Sequence, residues 1–211
     1  MYYPAFINVK NRICLVIGGG KFAEEKVFKL LSLGAKIKII SPDITQEIKD
    51  VLNKKEITWI KRKYIYGDLE DVFIAISATG DEIANEEVFK EAEKRNVLLN
   101  IVDVTHLCTF IAPSVAKRGG VTVATSTGGA SPALARKFRE TLEKGCECRL
   151  LEYGDLTLIL SEVRNEVRSK NIYVSAERWQ ECIDEKLLDL VQNGEISEAK
   201  NRLLLGLIEN K

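Results

Sequence analysis

Short apolar runs alternate with longer amphipathic segments along the first half of the chain, and this alternation constrains the fold most strongly. Five runs are short and rich in β-branched residues, as strands are: "RICLVI", "KIKIIS", "ITWIKR", "VFIAISAT" and "VLLNIVD". Three segments with apolar residues near helical spacing lie between them: "FAEEKVFKLLSLG", "DITQEIKDVLNKK" and "DEIANEEVFKEAEKRN". Strands that alternate with helices through short connections predict an α/β fold with a parallel sheet covered on both faces.

The pattern changes after residue 103. Two strand-like runs flank "KRGG", which predicts an antiparallel hairpin. A helix is predicted next, with Ser131 as N-cap, Pro132 at its first position and Gly145 just past its end. Three more helices are predicted in "LTLILSEVRNEVRSK", "SAERWQECIDEKLLDLVQNG" and "ISEAKNRLLLGLIEN". We therefore predict three parts, which are a sheet domain at 1–112, a hairpin plus helix at 113–148 and a C-terminal helical domain at 149–211.

A glycine-rich turn joins the first predicted strand to the first predicted helix. Gly18, Gly20 and Ala23 stand at the G-x-G-x-x-G/A spacing of a dinucleotide-binding unit. In such a unit the first glycine makes a tight turn, the second lets the backbone approach a pyrophosphate, and the third small residue lets the helix pack on the strand. The helix N-terminus adds N–H groups and a partial positive charge. The spacing predicts a Rossmann-like domain that binds a nucleotide.

An acidic residue follows the second predicted strand, where a dinucleotide-binding unit contacts a ribose. Asp43 lies 23 residues after Gly20, and its carboxylate can accept hydrogen bonds from ribose hydroxyls. It follows Ser41 and Pro42 instead of ending the strand, so a role as N-cap of the next helix is equally open. The choice between NAD and NADP stays open with it.

Small and polar residues also end the fourth and fifth predicted strands, at the sheet edge where such folds bind ligands. Thr79 is one of them, and its alternative role is that of a turn residue. The residues predicted to bind the cofactor, which we expect to be NAD, are Gly18, Gly19, Gly20, Lys21, Phe22, Ala23, Ser41, Pro42, Asp43, Thr79, Asn100 and Val102.

Composition excludes several classes of protein. The 31 basic and 31 acidic side chains cancel, so we expect neither nucleic acid nor an anionic membrane as the main partner. No apolar run approaches the roughly 20 residues that cross a bilayer, and the N-terminus lacks the apolar centre of a secretion signal. The odd count of 5 cysteines indicates reduced thiols, and we expect a cytoplasmic protein. Cys146 and Cys148 form only a C-x-C pair in a chain with 1 histidine, so no metal site is predicted.

Four stretches follow one another along the chain: "GGGKFAEEK", "AISATGDEIAN", "LLNIVD" and "FIAPSVAKRGGVTVATSTGGASPALARKFRE". In this order they resemble the siroheme synthase N-terminal family, whose members are precorrin-2 dehydrogenases and in some cases also sirohydrochlorin ferrochelatases. The resemblance extends over essentially the whole chain and is strongest over residues 1–144. It implies NAD-dependent oxidation of precorrin-2 to sirohydrochlorin, with Fe(II) insertion as a second activity that stays open. It also implies a homodimer in which segment 113–148 forms the contact.

The resemblance also assigns site residues. The family's catalytic aspartate falls on Asp103, where a carboxylate at a strand end can accept the proton lost during oxidation. The alternative for Asp103 is a loop cap. The tetrapyrrole substrate carries many carboxylates, and a glycine-rich loop before a basic helix can receive them. The predicted substrate-binding residues are Ser126, Thr127, Gly128, Gly129 and Arg136.

Several residues of this region have more than one role open to them. Arg136 can instead belong to a solvated helix face. A hydroxyl residue of this loop is linked to chelation in the family, and the matching positions are Ser126 and Thr127. His106, the only histidine, is either a proton shuttle or an incidental loop residue. Two other functions also use a glycine-rich first turn: an NAD-binding regulatory domain without catalysis, and an S-adenosylmethionine-dependent methyltransferase.

Overall fold

A computed structural model describes residues 2–52, 57–145 and 149–208. The chain divides into two compact units, Met1–Ala112 and Pro113–Lys211. The expected boundary at residue 148 lies outside the described residues, so the division of the second unit into two domains stays a prediction. Within the described ranges, no helix has both the length and the apolar character that crossing a bilayer requires.

The first unit contains a five-stranded parallel sheet. Its strands are β1 (Ile13–Ile17), β2 (Lys36–Ile40), β3 (Ile57–Ile60), β4 (Ile74–Ser77) and β5 (Leu98–Ile101). They lie in the order β3-β2-β1-β4-β5, and every neighbouring pair is parallel. Its helices are α1 (Lys21–Ser32), α2 (Gln46–Leu52) and α3 (Glu82–Arg95). The predicted α/β fold is confirmed.

Both faces of this sheet are buried, which explains why its strands are almost uniformly apolar. Successive side chains of a strand point to opposite faces. Cys14 and Val16 of β1 therefore pack with apolar residues of α1 and α2, whereas Leu15 and Ile17 pack with Val88 of α3. Each fully buried aliphatic side chain of this kind contributes about 1.5–3 kcal/mol to folding.

A buried carboxylate organises the connection between β3 and β4. Glu91 of α3 is fully buried and accepts hydrogen bonds from Gly67 N (2.7 Å), Leu69 N (3.3 Å) and Arg95 Nε (2.6 Å). The Tyr64 hydroxyl also donates to it, and burial together with the Glu91 carboxylate raises the pKa of that hydroxyl, so it stays protonated. This network holds the irregular connection against α3.

The second unit begins with the predicted hairpin. Strands β6 (Ser114–Arg118) and β7 (Val121–Thr125) are antiparallel, as expected. Helix α4 (Pro132–Lys144) follows, and the Ser131 hydroxyl caps it by accepting from Leu134 N at 3.2 Å. Four more helices follow: α5 (Thr157–Ser169), α6 (Ala176–Cys182), α7 (Glu185–Gln192) and α8 (Ile196–Ile208).

The prediction of one continuous helix in residues 175–194 is wrong, because the chain forms α6 and α7 with a break at Asp184. The Asp184 carboxylate accepts from Leu187 N at 2.9 Å and caps α7. Arg202 of α8 donates to the same carboxylate at 2.7 Å. A short acidic side chain competes with helical hydrogen bonding and favours such a cap, which the apolar periodicity conceals.

Replacing this cap should measurably destabilise the second unit. We expect Asp184→Ala to lower the free energy of unfolding by about 1 kcal/mol, because the N–H groups of the first turn of α7 lose their acceptor. Lys186→Ala, an exposed change two residues away, is the matched control. Urea unfolding followed by circular dichroism measures both, and equal midpoints for the two variants would contradict this role of Asp184.

Candidate functional site

The carboxyl ends of four strands form one row at the edge of the sheet. Ile17 of β1 stands opposite Ile40 of β2 on one side and opposite Ser77 of β4 on the other. Ser77 in turn stands opposite Ile101 of β5. The chain therefore leaves all four strands at the same edge, where the glycine turn, the turn after β2, Thr79 and the turn after β5 follow. Neighbouring strands lie about 5 Å apart, so β1 and β5 are separated by about 10 Å along this edge.

The three glycines of the first turn have different surroundings. Gly18 has a φ of +114°, and a Cβ there would lie 2.6 Å from the Ala78 carbonyl oxygen. A Cβ on Gly19 would lie 1.9 Å from the carbonyl oxygen of Asp43. A Cβ on Gly20 would meet no atom within 4 Å. The first two glycines are thus required by the packing of the protein itself, whereas Gly20 faces open space.

Helix α1 begins directly after this turn. Gly20 is the N-cap and has no side chain with which to cap the first N–H groups. Ala23 is fully buried in the sheet core, which allows the close packing that the motif predicts. Lys21 is exposed and forms an ion pair with Glu47 at 2.8 Å, and Phe22 is also exposed. An anion at this helix end would therefore meet backbone N–H groups.

Asp43 does not cap α2, and that interpretation of the sequence is wrong. The Thr45 hydroxyl accepts from Ile48 N at 3.4 Å, and the helix begins at the residue after Thr45. Asp43 is exposed, and its carboxylate has no hydrogen-bond partner among the described residues. The carboxylate is therefore available to a ligand at the sheet edge.

The turn that carries Asp43 is held by neighbouring groups. The Ser41 hydroxyl donates to the Asp43 carbonyl oxygen at 2.6 Å, and Pro42 between them is exposed. The indole of Trp59 on β3 donates to the Ser41 carbonyl oxygen at 2.9 Å. Sequence analysis missed Trp59, because nothing in a single sequence pairs a strand side chain with a turn 18 residues earlier.

The polar residues after β4 and on β5 already have structural partners. The Thr79 hydroxyl accepts from Asp81 N at 2.8 Å, which supports its alternative role as a turn residue. Asn100 is buried, and its amide donates to the Phe110 carbonyl oxygen at 3.1 Å. Val102 is half-buried against the core of the sheet. The part of these three residues in cofactor binding stays a prediction.

Asp103 lies in the turn that follows β5. Its backbone is left-handed, with a φ of +63°, and the turn is closed by Val104 N donating to the Ile101 carbonyl oxygen at 3.2 Å. The side chain is exposed and makes neither a cap nor any other hydrogen bond with the described residues. An exposed carboxylate at a strand end can accept a proton from a ligand and pass it to solvent.

No metal centre appears in the part of the chain that the structure describes. No cluster of three or more His, Cys, Asp or Glu side chains is placed to hold an ion there. His106 is exposed in a 3₁₀ turn at Thr105–Leu107, shortly after Asp103. Cys146 and Cys148 lie outside the described residues.

The two candidate hydroxyl groups in the glycine-rich loop of the second unit, those of Ser126 and Thr127, have different hydrogen-bond partners. Thr127 Oγ1 accepts from Ser131 N at 2.9 Å and donates to Ser131 O at 3.1 Å, so its proton is used inside the loop. Ser126 is exposed and accepts from Gly128 N at 3.1 Å. Gly128 and Gly129 both have positive φ, +65° and +92°. Of the two hydroxyl groups, that of Ser126 faces solvent and can reach a ligand.

Arg136 lies on the exposed face of α4. Its Nε donates to Glu140 at 2.7 Å, and this hydrogen bond raises the pKa of the guanidinium. An ion pair between residues four apart, such as Arg136 and Glu140, is typical of a solvent-exposed helix face. A role of Arg136 in binding substrate carboxylates stays a prediction.

Comparisons with known proteins cover both units. Residues 5–114 match a family model described as putative NAD(P)-binding, and residues 118–145 match one described as sirohaem biosynthesis protein central. The chain is 34% identical over 204 residues to a siroheme synthase of Photorhabdus laumondii, which covers 96% of this chain and 43% of the relative. It is 35% identical over 211 residues to a siroheme synthase of Mannheimia succiniciproducens, covering 99% and 44%.

The chain thus spans less than half the length of these curated relatives. A solved structure, SirC, precorrin-2 dehydrogenase, superposes with a TM-score of 0.76 at 28% identity. The match covers 95% of this chain and 100% of that one.

Proposed function

The chain belongs to the siroheme synthase N-terminal family of NAD(P)-binding proteins, and on this premise we propose that it oxidises precorrin-2 to sirohydrochlorin with NAD. One observation carries the proposal: the glycine turn that faces open space and the unpartnered carboxylate of Asp103 leave the sheet at the same edge. The matching solved structure is that of a precorrin-2 dehydrogenase, which supports the same reaction.

The residues present fit a dinucleotide. The space in front of Gly20 is what a diphosphate needs, and the uncapped N-terminus of α1 supplies N–H donors and a partial positive charge. The unpartnered carboxylate of Asp43 would accept from ribose hydroxyls. When bound, NAD supplies the two-electron oxidant for the reaction. The chain's own part is to hold and orient it at the sheet edge.

Asp103 supplies the acid–base chemistry. The substrate gives up a proton as well as electrons, and a carboxylate at the end of β5 can accept that proton. Its exposure lets the proton continue to solvent.

A turnover assay distinguishes the proposed function from its two competitors. Purified protein, precorrin-2 and NAD are mixed without oxygen, and NADH is followed by its absorbance. We expect NADH and sirohydrochlorin to form in equal amounts. NAD binding without turnover would instead identify a regulatory domain. Calorimetric binding of S-adenosylmethionine in preference to NAD would favour a methyltransferase.

The carboxylate of Asp43 should set the choice of cofactor. We expect Asp43→Ala to weaken NAD binding about 10- to 100-fold, because hydrogen bonds to a charged group contribute about 1.5–3 kcal/mol. NADP affinity should not fall, because the variant no longer repels the 2′-phosphate. Calorimetry with both cofactors measures this, and Asp50→Ala on the exposed face of α2 is the control. An NAD affinity equal to that of the control would remove Asp43 from the ribose site.

The homodimer is also part of the proposal, with segment 113–148 as the contact. Leu134 and Phe138 lie one turn apart on α4 and are 48% and 54% exposed in the single chain. A partner subunit would cover such an apolar pair. Light scattering on the purified chain, compared with a Leu134→Asp, Phe138→Asp double variant, tests it. We expect dimers for the first and monomers for the second.

Fe(II) insertion and location complete the proposal. Fe(II) would be a substrate, and an anaerobic assay with sirohydrochlorin and Fe(II) tests its insertion.

The free thiols of Cys14, Cys108 and Cys182 support a reducing compartment, which favours the cytoplasm. The cancelling charges favour neither nucleic acid nor a membrane as a partner.

A further inference from the structure

The outer edge of β5 is covered by two consecutive side chains from the segment that follows it. β5 is the last strand of the sheet, so one row of its N–H groups has no neighbouring strand. Leu99 N donates instead to the Thr109 hydroxyl at 2.7 Å, and Ile101 N donates to Cys108 Sγ at 3.1 Å. Thr109 N also donates to the Leu99 carbonyl oxygen at 2.9 Å. Cys108 and Thr109 therefore replace a missing strand.

The thiol of Cys108 reaches both sides of Asp103. Besides accepting from Ile101 N, it lies 3.3 Å from the carbonyl oxygens of Ile101 and Val104, to which it can donate. Cys108 is partly buried, and burial raises the pKa of its thiol, so the S–H proton is retained. One side chain thus contacts the residue two positions before Asp103 and the residue directly after it.

The turn between these contacts has a conformation that needs support. Asp103 has a φ of +63°, in the left-handed region that is disfavoured for a residue with a Cβ. Such a conformation persists where its surroundings hold it. Here the Val104 to Ile101 backbone bond and the Cys108 thiol hold the turn from within.

We propose that Cys108 is a positioning residue for Asp103: its thiol fixes the turn after β5 and thereby aims the carboxylate of Asp103 at the substrate. The inference rests on the proposed dehydrogenation and names a residue that acts on the reaction through the position of the base. A misaimed base lowers the rate of the chemical step without changing how the cofactor is held.

Substitutions at Cys108 test this, with Thr109 as the matched position. We expect Cys108→Ala and the larger Cys108→Val, neither of which keeps the hydrogen bonds of the thiol, to lower kcat about tenfold, with KM for precorrin-2 and Kd for NAD unchanged. Cys108→Ser keeps a donor and an acceptor and should restore kcat to within about twofold of the original. Thr109→Val removes the same kind of bond at Leu99, farther from Asp103, and should lower kcat less than Cys108→Ala does.

A double-variant cycle makes the test specific. In an Asp103→Asn background, Cys108→Ala should cause no further loss of kcat, because the residue acts through the base. Amide hydrogen exchange at Ile101, followed by nuclear magnetic resonance, should accelerate in Cys108→Ala and not in Cys108→Ser. This second readout does not depend on turnover.

Three results would overturn the inference: unchanged kcat in both Cys108→Ala and Cys108→Val, an equal loss in Thr109→Val, or a further loss in the Asp103→Asn background. Its failure is distinguishable from failure of the proposed function. If the original chain oxidises precorrin-2 and the Cys108 variants match it, only the positioning role is lost. If the original chain shows no oxidation, the proposed function fails and the positioning role fails with it.

Discussion

Gly20→Val is expected to give a folded protein whose affinity for NAD is at least about 100-fold lower. A side chain at this position would meet no protein atom within 4 Å, and the backbone angles, φ −80° and ψ −172°, suit any residue. The cost to folding should stay near 1 kcal/mol, the difference between glycine and a branched residue at an N-cap. A diphosphate, however, would lose two or more charge-assisted bonds of about 1.5 kcal/mol each. Calorimetric titration with NAD and thermal unfolding measure the two effects separately.

The neighbouring glycine supplies the contrast. Gly19→Val would place a Cβ 1.9 Å from the Asp43 carbonyl oxygen, so the turn after β2 must move. We expect this variant to lose much of its stability together with NAD binding, whereas Gly20→Val loses NAD binding at only a small cost in stability. If Gly20→Val binds NAD as the original chain does, the diphosphate does not lie against this turn, and the proposed cofactor site is wrong.

Asp103→Asn is expected to lower kcat by about 100- to 10,000-fold, the usual range for removing a general base. Asparagine has nearly the same shape and tolerates a left-handed backbone, so the turn with its φ of +63° should persist. NAD affinity and stability should therefore change little. Asp103→Ala is a poorer test, because a left-handed backbone is less favourable for alanine than for asparagine. A lower kcat in that variant could then come from a changed turn as well as from the missing carboxylate.

The chain offers a close control for this change. Asp71 is also exposed and also left-handed, with a φ of +60°, but it precedes β4 at the opposite end of the sheet. Asp71→Asn should leave kcat, KM and the melting temperature unchanged. Normal turnover in Asp103→Asn, or an equal loss in Asp71→Asn, would remove Asp103 from the catalytic role.

The sheet could be predicted because its strands are buried on both faces. Each strand is then a short apolar run such as "CLVI" of β1, which differs from the longer amphipathic pattern of α1. The hairpin and α4 were predictable from local signals as well, since "KRGG" marks a turn and Ser131 with Pro132 marks a helix start. These features depend on residues close together along the chain.

Features decided by one polar side chain were predicted less well. Asp184 interrupts an apolar stripe that continues past it, so periodicity joined α6 and α7 into a single helix. Thr45 and Asp43 are both good N-cap residues, and their spacing from the apolar face of α2 does not choose between them. The hydrogen bond from Ile48 N in the folded chain shows that Thr45 caps the helix.

Contacts between distant segments could not be predicted from one sequence. Trp59 supports the turn of Ser41 from another strand, and the Cys108 thiol returns to β5 after a 3₁₀ turn. Tryptophan and cysteine in apolar surroundings look like ordinary core residues in a sequence. Their hydrogen bonds depend on strand register and on turn geometry, which a single amino-acid sequence does not specify.

A crystal structure of the chain with NAD bound tests the central claim most directly. We expect the diphosphate to lie against Gly20 at the N-terminus of α1, and the nicotinamide ring to lie along the ends of β4 and β5 beside the Asp103 carboxylate. A diphosphate bound elsewhere, or an Asp103 carboxylate turned away from the nicotinamide, would contradict the account.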